Sequence, residues 1–319
     1  ILRLTDNAGR HGWGEAAPLP AHGSEPLAAA KAGLERLPAL VGQTLPHDDA
    51  VLDRIADMVT PLGLGPAARC AAESALASLV AARTGQALHR LIDEAALHRV
   101  PVAGLIDRGG TPSEAAAAAR ALAEAGHGTI KLKTGAGSAA EDAAIVAAAA
   151  AAAPGVALRL DANRAWTATA ARDACLRLAT TGARIDYVEE PLAAGDCLAA
   201  APLPQALDET LVALGPAAAL ARLEAEPRPT AIILKPMLLG LVATIRLMRA
   251  ARARGIAPVI SSSFESGLGL RLGRLLVWLG VGEDLLEDIV GRALLERARA
   301  RRPVGGQGFL EGLLLIPVK

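Results

Sequence analysis

Five short apolar runs in this chain carry or end on a charged side chain, and they recur at nearly even intervals. Thr129-Ile-Lys-Leu-Lys-Thr134 carries Lys131 and Lys133. Ala157-Leu-Arg-Leu-Asp161 ends on Asp161, Ile185-Asp-Tyr-Val-Glu189 on Glu189, Ala206-Leu-Asp208 on Asp208, and Ala231-Ile-Ile-Leu-Lys235 on Lys235. From Lys133 to 161, 189, 208 and 235 the steps are 28, 28, 19 and 27 residues. A (β/α)8 barrel of about 250 residues spends about 31 on each strand–helix unit and takes its active-site groups from the C-terminal ends of successive strands. The spacing therefore predicts three carboxylates and two or three lysines converging on one barrel mouth, a metal site facing a pair of bases.

At 319 residues the chain has room for one such barrel and a smaller domain. The expected fold is α/β: a (β/α)7β TIM-type barrel over 98–300, with an α+β capping domain built from residues 1–97 and the C-terminal tail, 301–319. Ile1 to Pro20 reads as a hairpin turning through Asp6 to Gly9, and helical patterns follow at Pro26–Val41, Asp48–Val59 and Pro66–Thr84. Beyond Val100, short apolar runs alternate with Ala-rich helices, the pattern of a parallel sheet. Thr111-Pro-Ser-Glu114 is a capping box with Pro at the first helical position, and Gly126 ends that helix. Further helices are expected at Ala143–Ala153, Trp166–Thr181, Leu192–Ala201, Pro216–Glu226 and Leu241–Gly255. The seventh strand is Ala257–Ser261, the eighth falls within Asp284–Val290, and Gly308–Val318 reads as a strand returning to the N-terminal sheet. Ile1 already lies in a strand pattern, so further residues are expected before it.

Composition narrows the function. Lys+Arg and Asp+Glu balance at 33 each, and no basic run lies near aromatics, which argues against nucleic acid. The longest apolar stretch, Ala143 to Ala153, is too short to span a bilayer, and no signal-peptide pattern opens the chain. Cys70, Cys175 and Cys197 have neither metal-ligand spacing nor the number for a disulfide framework. They read as buried thiols in a reducing compartment, so a cytoplasmic enzyme acting on a small molecule is expected.

Alternate side chains of a strand share a face, so Lys131 and Lys133 both point into the barrel and Leu132 points to the helices. Two ammonium groups so close disfavour each other's charged form, one way a lysine is tuned to act as a base. Asp161, Glu189 and Asp208 have no matching histidines, and an all-oxygen set suits Mg²⁺ or Mn²⁺ rather than Zn²⁺. Of Glu189 and Glu190 only one can share the inward face, and Glu189 is the choice. Lys235, across the barrel, can serve as a second base, as a cation for developing negative charge, or as a Schiff-base lysine. The three carboxylates argue against the last. The loop Ser261-Ser-Ser-Phe-Glu-Ser-Gly267 can offer donors to a substrate carboxylate. His11, His22, His47, His89, His98 and His127 all precede these groups, so a histidine base is not expected; His127 reads as a capping or surface residue.

With those residues in place, the chain resembles the enolase superfamily, whose members pair a Lys or His base with one or two Mg²⁺ ions. The strings that carry the resemblance are Gly12-Trp-Gly-Glu-Ala-Ala-Pro-Leu-Pro20, Leu158-Arg-Leu-Asp-Ala-Asn-Arg-Ala-Trp166, Val188-Glu-Glu-Pro191, Leu207-Asp-Glu209, Ile233-Leu-Lys-Pro236 and Ile260-Ser-Ser-Ser-Phe-Glu-Ser-Gly-Leu-Gly269. The Lys-x-Lys strand is similar to that of the muconate-lactonizing-enzyme-like subgroup. The Asp-Ala-Asn-Arg-Ala-Trp and Ser-Ser-Ser-Phe-Glu-Ser stretches are similar to those of the o-succinylbenzoate synthases. The resemblance implies Asp161, Glu189 and Asp208 as Mg²⁺ ligands, with Mn²⁺ able to substitute. It implies Lys133 as the base, then the acid, of a dehydration through an enediolate in menaquinone biosynthesis. Lys131 would tune Lys133, Lys235 would stand as a cation over the enediolate, Ser262 and Ser263 would receive the succinyl carboxylate, and Arg159 and Asn163 would support the metal side. Dipeptide epimerases, N-acylamino acid racemases and muconate cycloisomerases share the same lysines and carboxylates, so those activities stay open, as do an aldolase using Lys235 and a non-catalytic binding barrel. The family's opening strand and substrate-covering loop would precede Ile1, and Met237-Leu-Leu239 replaces a more polar stretch.

Overall fold

In the computed structural model of the chain, residues 1–45, 50–89, 101–107, 110–270, 286–287 and 314–317 are described. The expected domain boundaries at 97/98 and 300/301 lie outside these residues, as do His47 and His98.

The chain opens with β1 (Leu2–Thr5) and β2 (His11–Gly14), an antiparallel hairpin. Asp6 closes its turn by accepting the backbone N–H groups of Ala8 and Arg10, both at 2.9 Å, as short acidic side chains do in turns. The C-terminal strand β11 (Leu314–Pro317) lies parallel to β1 and completes a three-stranded sheet. Against it packs the long α3 (Pro66–Thr84), which starts with Pro and stops at left-handed Gly85, and α1 (Leu27–Leu34) and α2 (Val51–Val59) pack on α3. Sheet and helix nearly touch. A Cβ on Gly12 would lie 2.0 Å from the Ala75 carbonyl oxygen, and one on Gly14 1.9 Å from that of Ala71.

The second sheet holds eight strands. They are β3 (Val102–Ile106), β4 (Thr129–Lys133), β5 (Ala157–Asp161), β6 (Ile185–Glu189), β7 (Gln205–Leu207), β8 (Ala231–Leu234), β9 (Ala257–Ile260) and β10 (Leu286–Glu287). All pairings are parallel, in the order β10-β3-β4-β5-β6-β7-β8-β9. β10 falls in the segment expected for the eighth strand and stands beside β9, so the sheet curls back on itself. The TIM-type barrel with its α+β cap is thus the observed fold. The outer layer is α4 (Pro112–Glu124), α5 (Ala139–Ala152), α6 (Ala168–Ala179), α7 (Glu209–Arg222), α8 (Pro236–Leu239) and α9 (Leu241–Arg252). α4 and α5 start on capping boxes, Thr111 with Glu114 and Ser138 with Glu141. No helix among the described residues is long and apolar enough to cross a membrane.

Two helix expectations are corrected. Leu192–Ala201 is not helical: Gly195, Asp196 and Ala200 have positive φ, and Ala193 donates its N–H to the Trp166 carbonyl. A loop there explains the short 19-residue step from Glu189 to Asp208. The next helix starts at Glu209, directly after β7, not at Pro216; it bends where Gly215 turns to φ 73° ahead of Pro216.

Strand alternation sorts the core. Ile130, Leu132, Leu158, Leu160 and Val188 face outward onto Val146, Ala149, Ala171, Ala174 and Leu178 of the helices. Tyr187, Ala206, Ala231, Ile233 and Val259 face inward and fill the barrel below its mouth. Each buried Leu, Ile or Val contributes about 1.5–3 kcal/mol, while the alanines let the helices approach closely.

The cap grips the barrel through Glu73 of α3, which is buried and accepts the Val242 N–H at 2.9 Å at the start of α9. Burial pushes its carboxyl up to about 7, against the pull of that N–H and of the Arg69 charge. Folded protein then holds this proton more tightly than unfolded chain does, so between about 4.5 and about 7 rising pH costs stability, about 3 kcal/mol in all. Glu73→Gln has no such proton. Unfolding measured across that range should show the variant gaining on the parent as pH rises; a constant difference would contradict this account.

Gly14→Ala should cost several kcal/mol, because the added carbon meets backbone rather than a movable side chain. Gly128, with nothing within 4 Å of its would-be Cβ, is the control, expected to change by less than about 0.5 kcal/mol on Gly128→Ala. Urea unfolding of both variants distinguishes them.

Candidate active site

The three acids owe their common face to one irregularity. β4 and β5 pair so that Lys131 lies opposite Arg159 and Lys133 opposite Asp161. Between β5 and β6 the register slips at Leu158/Arg159, so Arg159 pairs with Tyr187 and Asp161 with Glu189. Without that slip Asp161 would face Val188, and Glu189 would turn to the helices. A bulge of this kind re-aims side chains. Asp208 follows the end of β7, and Lys235 follows the end of β8.

The six charged groups interleave. Lys131 Nζ donates to both Glu189 oxygens, at 2.9 and 2.8 Å, and lies 3.1 Å from Asp161 Oδ2. Lys133 Nζ donates to the same Asp161 oxygen at 2.9 Å. Lys235 Nζ donates to Asp208 Oδ2. The two lysines of β4 are therefore not a bare pair of like charges: Asp161 stands between them. Burial alone would push Asp161 up, but the ammonium groups of Lys131 and Lys133 prevail and hold its carboxyl below the usual range. At Lys235 burial works against the charged form, and Asp208 and Glu189 outweigh it, so this lysine stays an ammonium well above its ordinary range. The lysines differ in access. Lys131 is 3% exposed and Lys235 13%, whereas Lys133 is 33% exposed and lines a cleft of about 990 Å³ with Thr134, Gly135, Ala162 and Asn163.

Asn163 sits above Asp161 in left-handed backbone (φ 42°). Its Oδ1 accepts from Lys133 Nζ at 2.6 Å, and its Nδ2 donates to Glu209 Oε1 at 3.0 Å. Arg159 lies one layer deeper, its guanidinium 5.0 Å from the Tyr187 ring centre and 3.4 Å from Asp186. Ser262 and Ser263 follow β9; both are buried, and neither hydroxyl has a hydrogen-bond partner among the described residues. His127 sits at the far end of the strands, its Nδ1 2.8 Å from the Val102 carbonyl oxygen.

Sequence reasoning missed several residues that shape the site. Glu190, fully buried at φ 40°, turns away from Glu189 and accepts the N–H groups of Asp208 and Thr210 at 2.8 and 2.7 Å, the Thr210 hydroxyl at 2.9 Å and Arg164 Nε at 3.1 Å. It thereby satisfies donors at the start of α7, where a helix favours negative charge, and fixes the backbone of Asp208. Glu209, beside it, is raised by burial and by the Asp208 charge. Glu15, in the cap, accepts from Ser266 and Gly269 beyond β9. The Glu189-Glu190 doublet pointed to Glu190, and Glu15 and Glu209 lie in strings that carry the resemblance, but no role could be read for them from sequence.

The donor set can be tested for a divalent cation. Three carboxylates from adjacent strand ends supply hard oxygens, and Asp208 Oδ1 is buried with no hydrogen-bond partner among the described residues, a lone pair that a cation would satisfy. The remaining oxygens lean on lysines. Among the described residues no three such side chains converge into a ready cage, so ligation would require Lys131 to yield its oxygens.

The enolase C-terminal domain-like family matches residues 114–276. The o-succinylbenzoate synthase of Yersinia pestis is 32% identical over 276 residues, 84% of this chain and 75% of that enzyme. The chloroplastic protein PHYLLO of Arabidopsis thaliana is 33% identical over 228 residues, 66% of this chain, and the match spans only 13% of that much longer protein. Among solved structures, a substrate-liganded L-Ala-D/L-Glu epimerase of Bacillus subtilis superposes with a TM-score of 0.76 at 25% identity, covering 89% of this chain and 80% of that one. The chain belongs to the enolase superfamily of enzymes.

Proposed function

We propose that the protein is an o-succinylbenzoate synthase, dehydrating a 2-succinyl-6-hydroxycyclohexadiene carboxylate by removing the proton α to its ring carboxylate. One observation carries this reading: Lys133 is the lysine that opens on the cleft, and it sits against Asp161, the first of the three strand-end acids. The 32% identity to the Yersinia enzyme supports the choice of dehydration.

The three acids would hold Mg²⁺, or Mn²⁺ in its place, and the ion would supply Lewis-acid stabilisation worth several kcal/mol for charge developing on the substrate carboxylate. Lys133 takes the α-proton and returns a proton to the departing hydroxide, so the net loss is one water and the ring becomes aromatic. Asn163 orients Lys133 through the bond at its Oδ1. Lys131, sharing Asp161 with Lys133, sets the local field. Lys235, kept charged by Asp208 and Glu189, offers a fixed positive charge toward the mouth, where preorganised charge is most effective. Arg159 braces the floor beneath Asp161, and Ser262 and Ser263 present their hydroxyls to the distal succinyl carboxylate. The substrate class is a small carboxylic acid. The three buried free thiols accord with a cytoplasmic setting.

Racemisation is the second reading. β4 and β8 lie four strands apart in the ring of eight, so Lys133 and Lys235 approach a bound carbon from opposite sides, as two-face proton transfer demands. The epimerase likeness in fold accords with it.

Lys133→Ala should lower kcat by about 10³-fold while leaving Mg²⁺ affinity, measured by calorimetry, close to that of the parent; sustained turnover would remove Lys133 from the role of base. With dehydration as the reaction, the cyclohexadiene acid gives an aromatic ultraviolet band, and dipeptides in deuterated water keep their α-protons. Exchange on dipeptides without the aromatic product would select the epimerase.

A further inference from the structure

The segment Glu15 to Ala17, immediately after β2, reaches from the cap to the barrel mouth. Its position is set from behind, since Gly12 and Gly14 seat β2 flush on α3. Glu15 is buried, and its carboxylate takes three hydrogen bonds from the chain that leaves β9: the Ser266 N–H at 2.7 Å, the Ser266 hydroxyl at 2.6 Å and the Gly269 N–H at 2.8 Å. Gly269 is required for this approach, because a Cβ there would lie 2.5 Å from the Glu265 side chain and 3.1 Å from Glu15 Oε2. Two residues on, the Ala17 N–H points at Met237 Sδ, 3.3 Å away, in the turn that follows Lys235. One strap of the cap therefore ties down the chain beyond both β8 and β9.

The segment it ties is under constraint. Phe264 has φ 62°, a conformation that costs a bulky residue free energy and persists only where the surroundings enforce it. Its ring is 52% exposed. On one side Glu265 accepts the Ser263 N–H at 2.6 Å, and on the other Glu15 holds Ser266. Between these two braces Ser262 and Ser263 keep buried hydroxyls with no hydrogen-bond partner among the described residues.

We propose that Glu15 is a positioning residue for the substrate's distal group: by clamping Ser266 and Gly269 it holds the Ser262–Phe264 turn in its strained form, with two hydroxyls aimed at that group. This rests on the reading of Ser262 and Ser263 as contacts of the distal carboxylate. Glu15 touches no reacting atom, so the clamp governs how tightly the far end of the substrate is held and leaves proton transfer at Lys133 alone.

Glu15→Gln keeps the shape but removes the charge and turns one acceptor oxygen into a donor, so at least one of the Ser266 and Gly269 N–H groups loses its acceptor. It should raise KM for the succinyl substrate about tenfold, the equivalent of one charge-assisted hydrogen bond, with kcat within about twofold. Against the analogue whose succinyl carboxylate is an amide, the parent's preference for the acid should shrink by a similar factor. Hydrogen exchange of the amides at 261–269 should quicken in the variant while those of β4 to β6 stay unchanged. A uniform fall in kcat, or exchange at 261–269 equal to the parent's, overturns the proposal. Ser266→Ala, which removes one of the three bonds, gives the same readouts in smaller measure should Glu15→Gln fail to fold. Because exchange is read without substrate, it judges the clamp even if the dehydration assay shows no product, the result that would instead strike the proposed activity.

Discussion

Everything at the barrel mouth follows from side chains alternating along parallel strands. Lys131 and Lys133 share a face because they are two apart, and hydrogen bonding to β5 puts Asp161 opposite Lys133. The alternation is unforgiving: a one-residue slip sends a whole strand's side chains to the wrong face. β6 has such a slip built in, and it is what brings Glu189 rather than Val188 into line with Asp161. The bulge also pairs Tyr187 with Arg159, so the packed floor and the charged mouth share one cause.

Putting six ionisable groups in so small a volume is costly unless each charge has a partner, since desolvation of an isolated ion costs several kcal/mol. Here the partners alternate in sign, Glu189 with Lys131, Lys131 with Asp161, Asp161 with Lys133, and Asp208 with Lys235. The arrangement is balanced but not inert. Lys133 is the most exposed of the three lysines, and Asp208 Oδ1 has no hydrogen-bond partner among the described residues. Adding a divalent cation would shift the balance toward positive charge, which favours loss of a proton from an ammonium and binding of an anionic substrate.

What was legible in the sequence is what repeats. The lysines and acids at strand ends declare themselves because a period of two within strands meets a period near 28 between them. Capping boxes at Thr111 and Ser138 are local and equally readable, and the second starts its helix at Ala139, four residues before the expected Ala143. Leu192–Ala201 has helical composition, but left-handed residues at Asp196 and Ala200 leave no mark in composition. Glu15 and Glu73 were unreadable for another reason. Their partners lie 251 and 169 residues away, and nothing near either residue betrays which distant N–H it will meet.

Glu15 and Glu73 obey one rule. Each is a cap carboxylate buried against backbone N–H groups just beyond a barrel strand, Glu73 at the start of α9 after β8, and Glu15 at the turn after β9. Helix starts and turns leave N–H groups unsatisfied, so removing either carboxyl strands donors in a buried joint. β8 and β9 deliver Lys235 and the serines, whereas β4 to β7 deliver the remaining lysines and the acids. The acid side is braced within the barrel by Glu190. The side facing it is braced from the cap. Changes in the cap thus reach Lys235 and the serines first, and the acids and lysines of β4 to β7 last.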